Sequence, residues 1–160
     1  MTDLQAKTKA IAQLDIGVRE TDGENNSPRI RQYLAHCNLV PPSAYCASAC
    51  STWVHEASQQ LNIIPQFIKA GSALHLFNNN PQLQISPSDL TADDLPVIGI
   101  NEDIDQIHGH AFVVTGLNGT QLTTIDPNSN DQGSSHGIGV FLLHIRRTTD
   151  TNRKGYIRIQ

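Results

Sequence analysis

The chain has 160 residues, of which 38% are hydrophobic and 16% are charged, and its mean hydropathy is -0.30. These values are typical of one soluble globular domain and exclude a disordered or fibrous chain. The net charge is -4, and the 11 Lys and Arg residues are spread along the sequence. The sequence therefore has no basic stripe of the kind that would predict a nucleic-acid partner.

The N-terminal residues 1–17 predict an amphipathic helix with charges distributed through it. They lack the apolar core of about 7 to 15 residues that a signal peptide requires, and no run approaches the length of a membrane span. We expect synthesis in the cytoplasm without a signal peptide, no membrane insertion, and a specialised export route if the protein acts elsewhere. Three irregularly spaced cysteines argue against a disulfide framework.

The first half of the chain is helical in pattern. A helix is predicted over residues 3–15, and a second begins with Ser27 as N-cap and Pro28 at the first helical position. Two further helices are predicted over residues 47–61 and 65–77. The polar segment 78–94 is predicted to be a loop.

From Leu95 onward the apolar pattern changes to short, β-branched segments that predict strands. The dipeptide Asn118-Gly119 between two of them is a strong hairpin signal. The predicted strands lie within residues 95–100, 110–117, 120–127, 137–145 and 155–160. Helices followed by a block of antiparallel strands predict an α+β fold, with residues 1–160 as a single domain.

Cys46 is the candidate nucleophile. Pro41 and Pro42 prevent a helix before them, Ser43 can cap one, and good helix formers follow, so Cys46 is predicted to lie in a first helical turn. Unpaired N–H groups and the helix dipole at that position favour a thiolate and lower the pKa of the thiol. Cys37 and Cys50 are predicted to be small buried hydrophobic residues.

A nucleophilic cysteine needs a base, and the base needs an acceptor that fixes its tautomer. Among seven histidines, His110 is the best candidate because it follows a glycine and begins the apolar strand "AFVV". The partner strand ends in "TIDPN", which returns Asp126 or Asn128 to the imidazole. Five of the other histidines are expected on helices, on a strand or in a Gly and Ser-rich loop: His36, His55, His75, His144 and His136.

Three segments in this order resemble a known family. "YCASACSTWV" resembles the nucleophile segment of CHAP and NlpC-type peptidoglycan hydrolases, and "GHAFVVTGLNGTQLTTIDPNSN" resembles their histidine strand, hairpin and terminal polar residue. The upstream "IAQLDIGVRETDGENNSPRIRQYL" also resembles bacterial and phage members. The resemblance extends over about residues 10–147. The chain departs from the family pattern in having Tyr45, Cys50 and an Asp-Pro-Asn ending.

The resemblance implies a papain-like fold with helices packed on an antiparallel sheet and the nucleophile at a helix N-terminus. It implies a cysteine amidase or endopeptidase that cuts peptidoglycan peptides without a cofactor. Cys46 would attack the carbonyl, His110 would carry the proton, and Asp126 or Asn128 would orient the imidazole, with Asp126 preferred because a carboxylate also stabilises an imidazolium. Tyr45 would contact substrate or simply pack.

Two metal-binding alternatives deserve comparison with this interpretation. His108 and His110 could ligate zinc together with a cysteine and Asp126, because alternate strand residues project to one side. No CxxC or HExxH spacing supports such a site. Two acidic clusters could suggest calcium, but neither has the spacing of a calcium loop, so solvated charge explains them better. The clusters are Glu20, Asp22 and Glu24, and Glu102, Asp103 and Asp105.

The expected partner is therefore peptidoglycan. An antibacterial effector delivered by a secretion system would also have a cognate immunity protein that covers the cleft. A phage lysis or tail enzyme of the same chemistry is an alternative origin. The alternative from a different class is a non-catalytic binding module on the same fold, in which Cys46 and His110 have no chemical role.

Overall fold

The computed structural model describes residues 1–133 and 137–160, and within them the chain forms four α-helices and a six-stranded antiparallel sheet. The predicted α+β class is confirmed, whereas His136 lies outside the described residues. The helices are α1 (Asp3–Leu14), α2 (Pro28–His36), α3 (Cys46–Leu61) and α4 (Ala73–Asn78). The strands are β1 (Gln84–Ile85), β2 (Val97–Glu102), β3 (Gly109–Asn118), β4 (Gln121–Ser129), β5 (Gly139–Leu143) and β6 (Arg153–Arg158).

The sheet has the strand order β1-β6-β2-β3-β4-β5, and every pair of neighbours is antiparallel. The predicted hairpin is confirmed, since β3 and β4 are joined by a tight turn. Asn118 pairs with Gln121, so the turn residues are Gly119 and Thr120, and Gly119 has a φ of 58°. That left-handed conformation is one that glycine adopts without steric cost.

The helix boundaries follow from the local sequence. Ser27 caps α2 by accepting a hydrogen bond from the backbone N–H of Ile30, and Pro28 occupies the first turn, as predicted. At α3 the N-cap is Tyr45 and not Ser43, and no cap side chain bonds to the first turn. Cys46 is thus the first residue of α3, where its N–H has no helical acceptor.

The two faces of the sheet carry separate apolar clusters. The larger cluster joins the helices to residues such as Ile98, Val113 and Ile157. The smaller cluster contains Phe112 and Val114 on the opposite face, as expected for alternating side chains of one strand. None of the helices among the described residues is long and apolar enough to cross a membrane.

Asp15, at the C-cap of α1, joins three helices through one carboxylate. It accepts hydrogen bonds from the Tyr33 hydroxyl at 2.7 Å and from the Trp53 indole at 2.6 Å. Arg29 adds an ion pair at 2.8 Å. The Tyr33 and Trp53 rings pack edge to face and are fully buried. Asp15 therefore fixes the position of α3, and with it the position of Cys46.

Replacing Asp15 with alanine is expected to lower the free energy of unfolding by about 2–4 kcal/mol, because two buried donors lose an ionised acceptor. Asp22→Ala is the matched control, since Asp22 is exposed and bonds only to nearby loop groups. Urea unfolding followed by Trp53 fluorescence measures both variants. Equal midpoints for the two variants would contradict this role of Asp15.

The predicted fourth helix begins later than expected, at Ala73 and not at residue 65. The segment before it is held extended by long-range bonds. Gln66 donates its N–H to the carbonyl of Gln160 at 2.8 Å, and the Asn80 side chain bonds to both backbone groups of Ile68. The predicted loop 78–94 also contains β1, a two-residue strand that pairs with β6.

Candidate active site

Cys46 lies where the helical part of the molecule meets the sheet. As the first residue of α3, it places its sulfur at the positive end of the helix dipole. The residue is 5% exposed, yet it lines an open cavity. The thiol lies against the His110 imidazole, and the backbone N–H groups of Ala111 and Ala47 also stabilise the charged form of the sulfur. This surrounding is the one predicted for a nucleophilic cysteine.

His110 follows the first residue of β3 and is almost completely buried. Its Nε2 lies 3.0 Å from Oδ1 of Asp126 on the neighbouring strand, so Nε2–H donates to the carboxylate. Nδ1 makes no hydrogen bond of standard geometry within the described residues. Nδ1 is therefore the ring nitrogen that can receive the proton of Cys46, with Asp126 fixing the tautomer.

The carboxylate of Asp126 is fully buried and has several donors. The Thr124 hydroxyl, two residues earlier on the same face of β4, donates to Oδ2. The guanidinium of Arg146 donates to Oδ1, which also accepts from His110. Neither Thr124 nor Arg146 was predicted from the sequence.

The pKa values of the three groups shift together. Burial raises the pKa of the Cys46 thiol, but His110 and the nearby N–H groups lower it more, so the net shift is downward. Burial lowers the pKa of His110, but Asp126 and Cys46 raise it above its usual value. Burial raises the pKa of Asp126, whereas His110 and Arg146 hold it below its ordinary value. These directions favour a thiolate beside an imidazolium.

The other two cysteines lack this environment. Cys50 is fully buried one turn further along α3, and burial raises the pKa of its thiol well above the usual value. It is the small buried residue that was predicted. Cys37 is only partly buried at the C-cap of α2, so the prediction of a core position for it is wrong. All three thiols are free.

Two further residues were predicted to belong to the site, Asn128 and Tyr45. Asn128 lies at a register shift in β4, between Pro127 and Ser129, has a φ of 56°, and lines a different cavity from Cys46. The imidazole of His110 bonds to Asp126. The Tyr45 ring is fully buried and stacks on Tyr33 with centroids 6.1 Å apart. Tyr45 therefore packs in the core and makes no surface for the predicted substrate contact.

The His108–His110 pair is not brought together as a metal site. His108 precedes β3, is exposed, and places Nδ1 2.5 Å from the Asp105 carboxylate. That carboxylate also accepts two backbone N–H groups of its own loop. Among the described residues, no group of three or more His, Cys, Asp or Glu side chains is placed to hold a metal ion.

The remaining described histidines lie outside the site. His36 and His55 stack on each other with ring centroids 4.4 Å apart. Burial is the main cause that lowers the pKa of His36 to about 4, and the nearby charges of Lys69 and His55 lower it further. His75 lies in α4, and His144 follows β5.

Two cavities flank the loop that leads into α3. The first, about 250 Å³ in volume, contains Cys46 and is bordered by Asp103 and His108. The second, about 400 Å³, is bordered by Glu20 and Asn128. Ala44 contributes to both cavities. The two cavities therefore meet at Ala44, although Cys46 lines only the first.

Comparison of the chain with protein families, with curated proteins and with solved structures found no significant match. No local pattern marks Arg146 as a site residue, because an arginine after a strand is ordinary on a protein surface. Thr124 had a weak signal, since it lies two positions before Asp126 in a predicted strand.

Proposed function

We propose that the chain is a papain-like cysteine hydrolase that cleaves amide bonds in peptidoglycan peptides. The observation that carries the proposal is the contact of Cys46, at the start of α3, with a buried His110 that donates to Asp126. Acyl transfer of this kind requires a nucleophile beside a base, and an acceptor that orients the base.

In the proposed reaction, the Cys46 thiolate attacks the amide carbonyl carbon and forms a tetrahedral intermediate. The Cys46 N–H has no helical acceptor and donates a hydrogen bond to the oxyanion of this intermediate. The His110 imidazolium gives its proton to the leaving amine as the C–N bond breaks, which leaves a thioester on Cys46. His110 then takes a proton from water, whose oxygen attacks the thioester and releases the acid and the thiolate.

Peptidoglycan as the substrate rests on the three segments that resemble CHAP and NlpC-type hydrolases. The cavity that Cys46 lines, and the second cavity across the loop before α3, are compatible with it, because a peptide strand extends on both sides of its scissile bond. The described cavity walls are mainly uncharged, with Asp103, His108 and Glu20 as their ionisable side chains other than Cys46. The Cys46 cavity also has apolar wall residues such as Leu39 and Ile107, so a peptide with small apolar side chains and few charges suits it.

Digestion of purified sacculi tests the proposal. The protein should release soluble muropeptides, and their masses should identify an amide bond as the one cut. EDTA in the reaction excludes a contaminating metallohydrolase, and protein alkylated with iodoacetamide is the matched inactive control. Release of glycan fragments with intact peptides, or equal release by alkylated protein, would contradict the proposal.

The non-catalytic alternative makes a different prediction for the thiol. Cys46 in a reactive pair should be alkylated rapidly by iodoacetamide near neutral pH, whereas an inert buried thiol should react slowly. Cys50 provides the internal comparison, because burial raises its pKa in the same helix. Equal, slow alkylation of Cys46 and Cys50 would favour the binding module.

A further inference from the structure

The acceptor of the His110 proton is also one half of a buried ion pair. Nε of Arg146 donates to Oδ1 of Asp126 at 2.7 Å, and Nη2 bonds to the same oxygen. The Arg146 side chain is 9% exposed and that of Asp126 is 0% exposed. One carboxylate oxygen is therefore shared between the imidazole and a guanidinium.

Arg146 is held firmly in this position. Its guanidinium carbon lies 4.5 Å from the centroid of the Phe112 ring, and Nη2 donates to the carbonyl of Gly133 at 3.2 Å. The Phe112 ring in turn stacks on His110, with centroids 5.8 Å apart. The guanidinium is thus clamped between a ring and a backbone carbonyl, so its charge stays beside the His110–Asp126 pair.

We propose that Arg146 is a positioning residue that weakens the hold of Asp126 on the imidazolium and thereby sets the pH range in which Cys46 is reactive. The inference rests on the proposed function only for the pairing of Cys46 with His110. It does not depend on which substrate is cut.

The direction of the effect follows from electrostatics. A fixed positive charge lowers the proton affinity of every titratable group near it, and the effect is strong where water is excluded. Removing the charge should therefore make the His110–Asp126 pair hold its proton more tightly and make Cys46 lose its proton at higher pH. A shift of about one pH unit or more is the scale for a charge this close.

Other ionisable groups around His110 complete this electrostatic environment. Cys46 and Cys50 face the pair from α3, and Asp126 faces it from β4. Arg153 lies on the Phe112 ring with its guanidinium carbon 4.7 Å from the centroid, and it bonds to Asp150. Among the hydrogen bonds that Asp126 accepts from described residues, only those from Arg146 bring a permanent positive charge onto its oxygen.

The test measures the rate of Cys46 alkylation by iodoacetamide against pH, with the labelled peptide identified by mass spectrometry. Arg146→Met should move the midpoint of the rate profile upward by about one pH unit. Arg146→Lys keeps the charge, so its midpoint should stay near that of the parent protein. Arg158→Met controls for net charge, because Arg158 is a partly exposed arginine that pairs with Asp94 and not with Asp126.

An unchanged midpoint in Arg146→Met, with only a lower melting temperature, would show a purely structural role and overturn the inference. A downward shift would overturn it as well. If the Met variant does not fold, Arg146→Gln removes the charge but keeps N–H donors, and the same upward shift is expected. Because alkylation needs no substrate, the shift can appear even if sacculi are not cut, which separates this inference from the proposed function.

Discussion

Replacing Cys46 with alanine is expected to abolish hydrolysis of sacculi, because no other group among the described residues combines a helix N-terminus with contact to His110. The loss should reach the background rate, since the covalent step has no substitute nucleophile. Muropeptide release measures the activity, and the melting temperature checks that the variant folds. Removing a single sulfur at a cavity wall should change stability little.

Cys50→Ala is the matched control for this variant. Cys50 lies one turn further along the same helix and is fully buried, so the two variants remove the same atom from neighbouring positions. It should retain activity even if its stability falls slightly, and Cys37→Ala should behave likewise. Loss of muropeptide release in Cys50→Ala, together with normal release in Cys46→Ala, would contradict the assignment of Cys46 as the nucleophile.

Removing the charge of Asp126 is expected to be the second largest effect. The Asp126→Asn variant keeps the size of the side chain but loses the carboxylate that fixes the His110 tautomer. In a serine triad, the equivalent change lowers kcat about 10⁴-fold. A cysteine enzyme with a resting thiolate and imidazolium needs this support less, so we expect a loss between about 10- and 10⁴-fold.

Asn is preferable to Ala at this position because Arg146 would otherwise lose its buried partner entirely. Breaking a buried ion pair by removing one member destabilises a protein by about 3–5 kcal/mol. Steady-state rates should be measured at a temperature where circular dichroism shows the variant to be folded. His110→Ala, assayed in parallel, gives the rate without a base.

Asn128→Ala distinguishes the two candidates for the orienting residue. Asn128 lies at a register shift near the end of β4 and lines the second cavity. Its replacement should therefore slow the reaction less than Asp126→Asn does. A severe loss in Asn128→Ala with a mild loss in Asp126→Asn would assign the orienting role to Asn128.

Local sequence signals predicted much of the fold. Ser27 and Pro28 predicted the start of α2. The backbone N–H of a residue in the first turn has no helical acceptor, so proline, which lacks this N–H, loses no hydrogen bond there. Asn118-Gly119 predicted the hairpin that aligns β3 with β4. The same hairpin brings the His110 and Asp126 side chains within hydrogen-bond distance, which is why the two residues could be paired from the sequence.

The remaining features depend on contacts between distant parts of the chain. Helical spacing over residues 65–77 was overridden before Ala73 by the Asn80 side chain and the chain end. Strand β1 is too short for alternation to be visible. Arg146 reaches Asp126 across 20 positions, and no local pattern marks an arginine that turns inward.

The division of the site between α3 and the sheet has a consequence for the nascent chain. The sulfur comes from residue 46, while its base and acceptor come from β3 and β4, more than 60 positions later. A chain still emerging from the ribosome therefore has a Cys46 thiol without its base, because β3 and β4 have not yet been made. The proposed reactivity of Cys46 would require β3 and β4 to dock onto α3, so it would begin only when this part of the fold is complete.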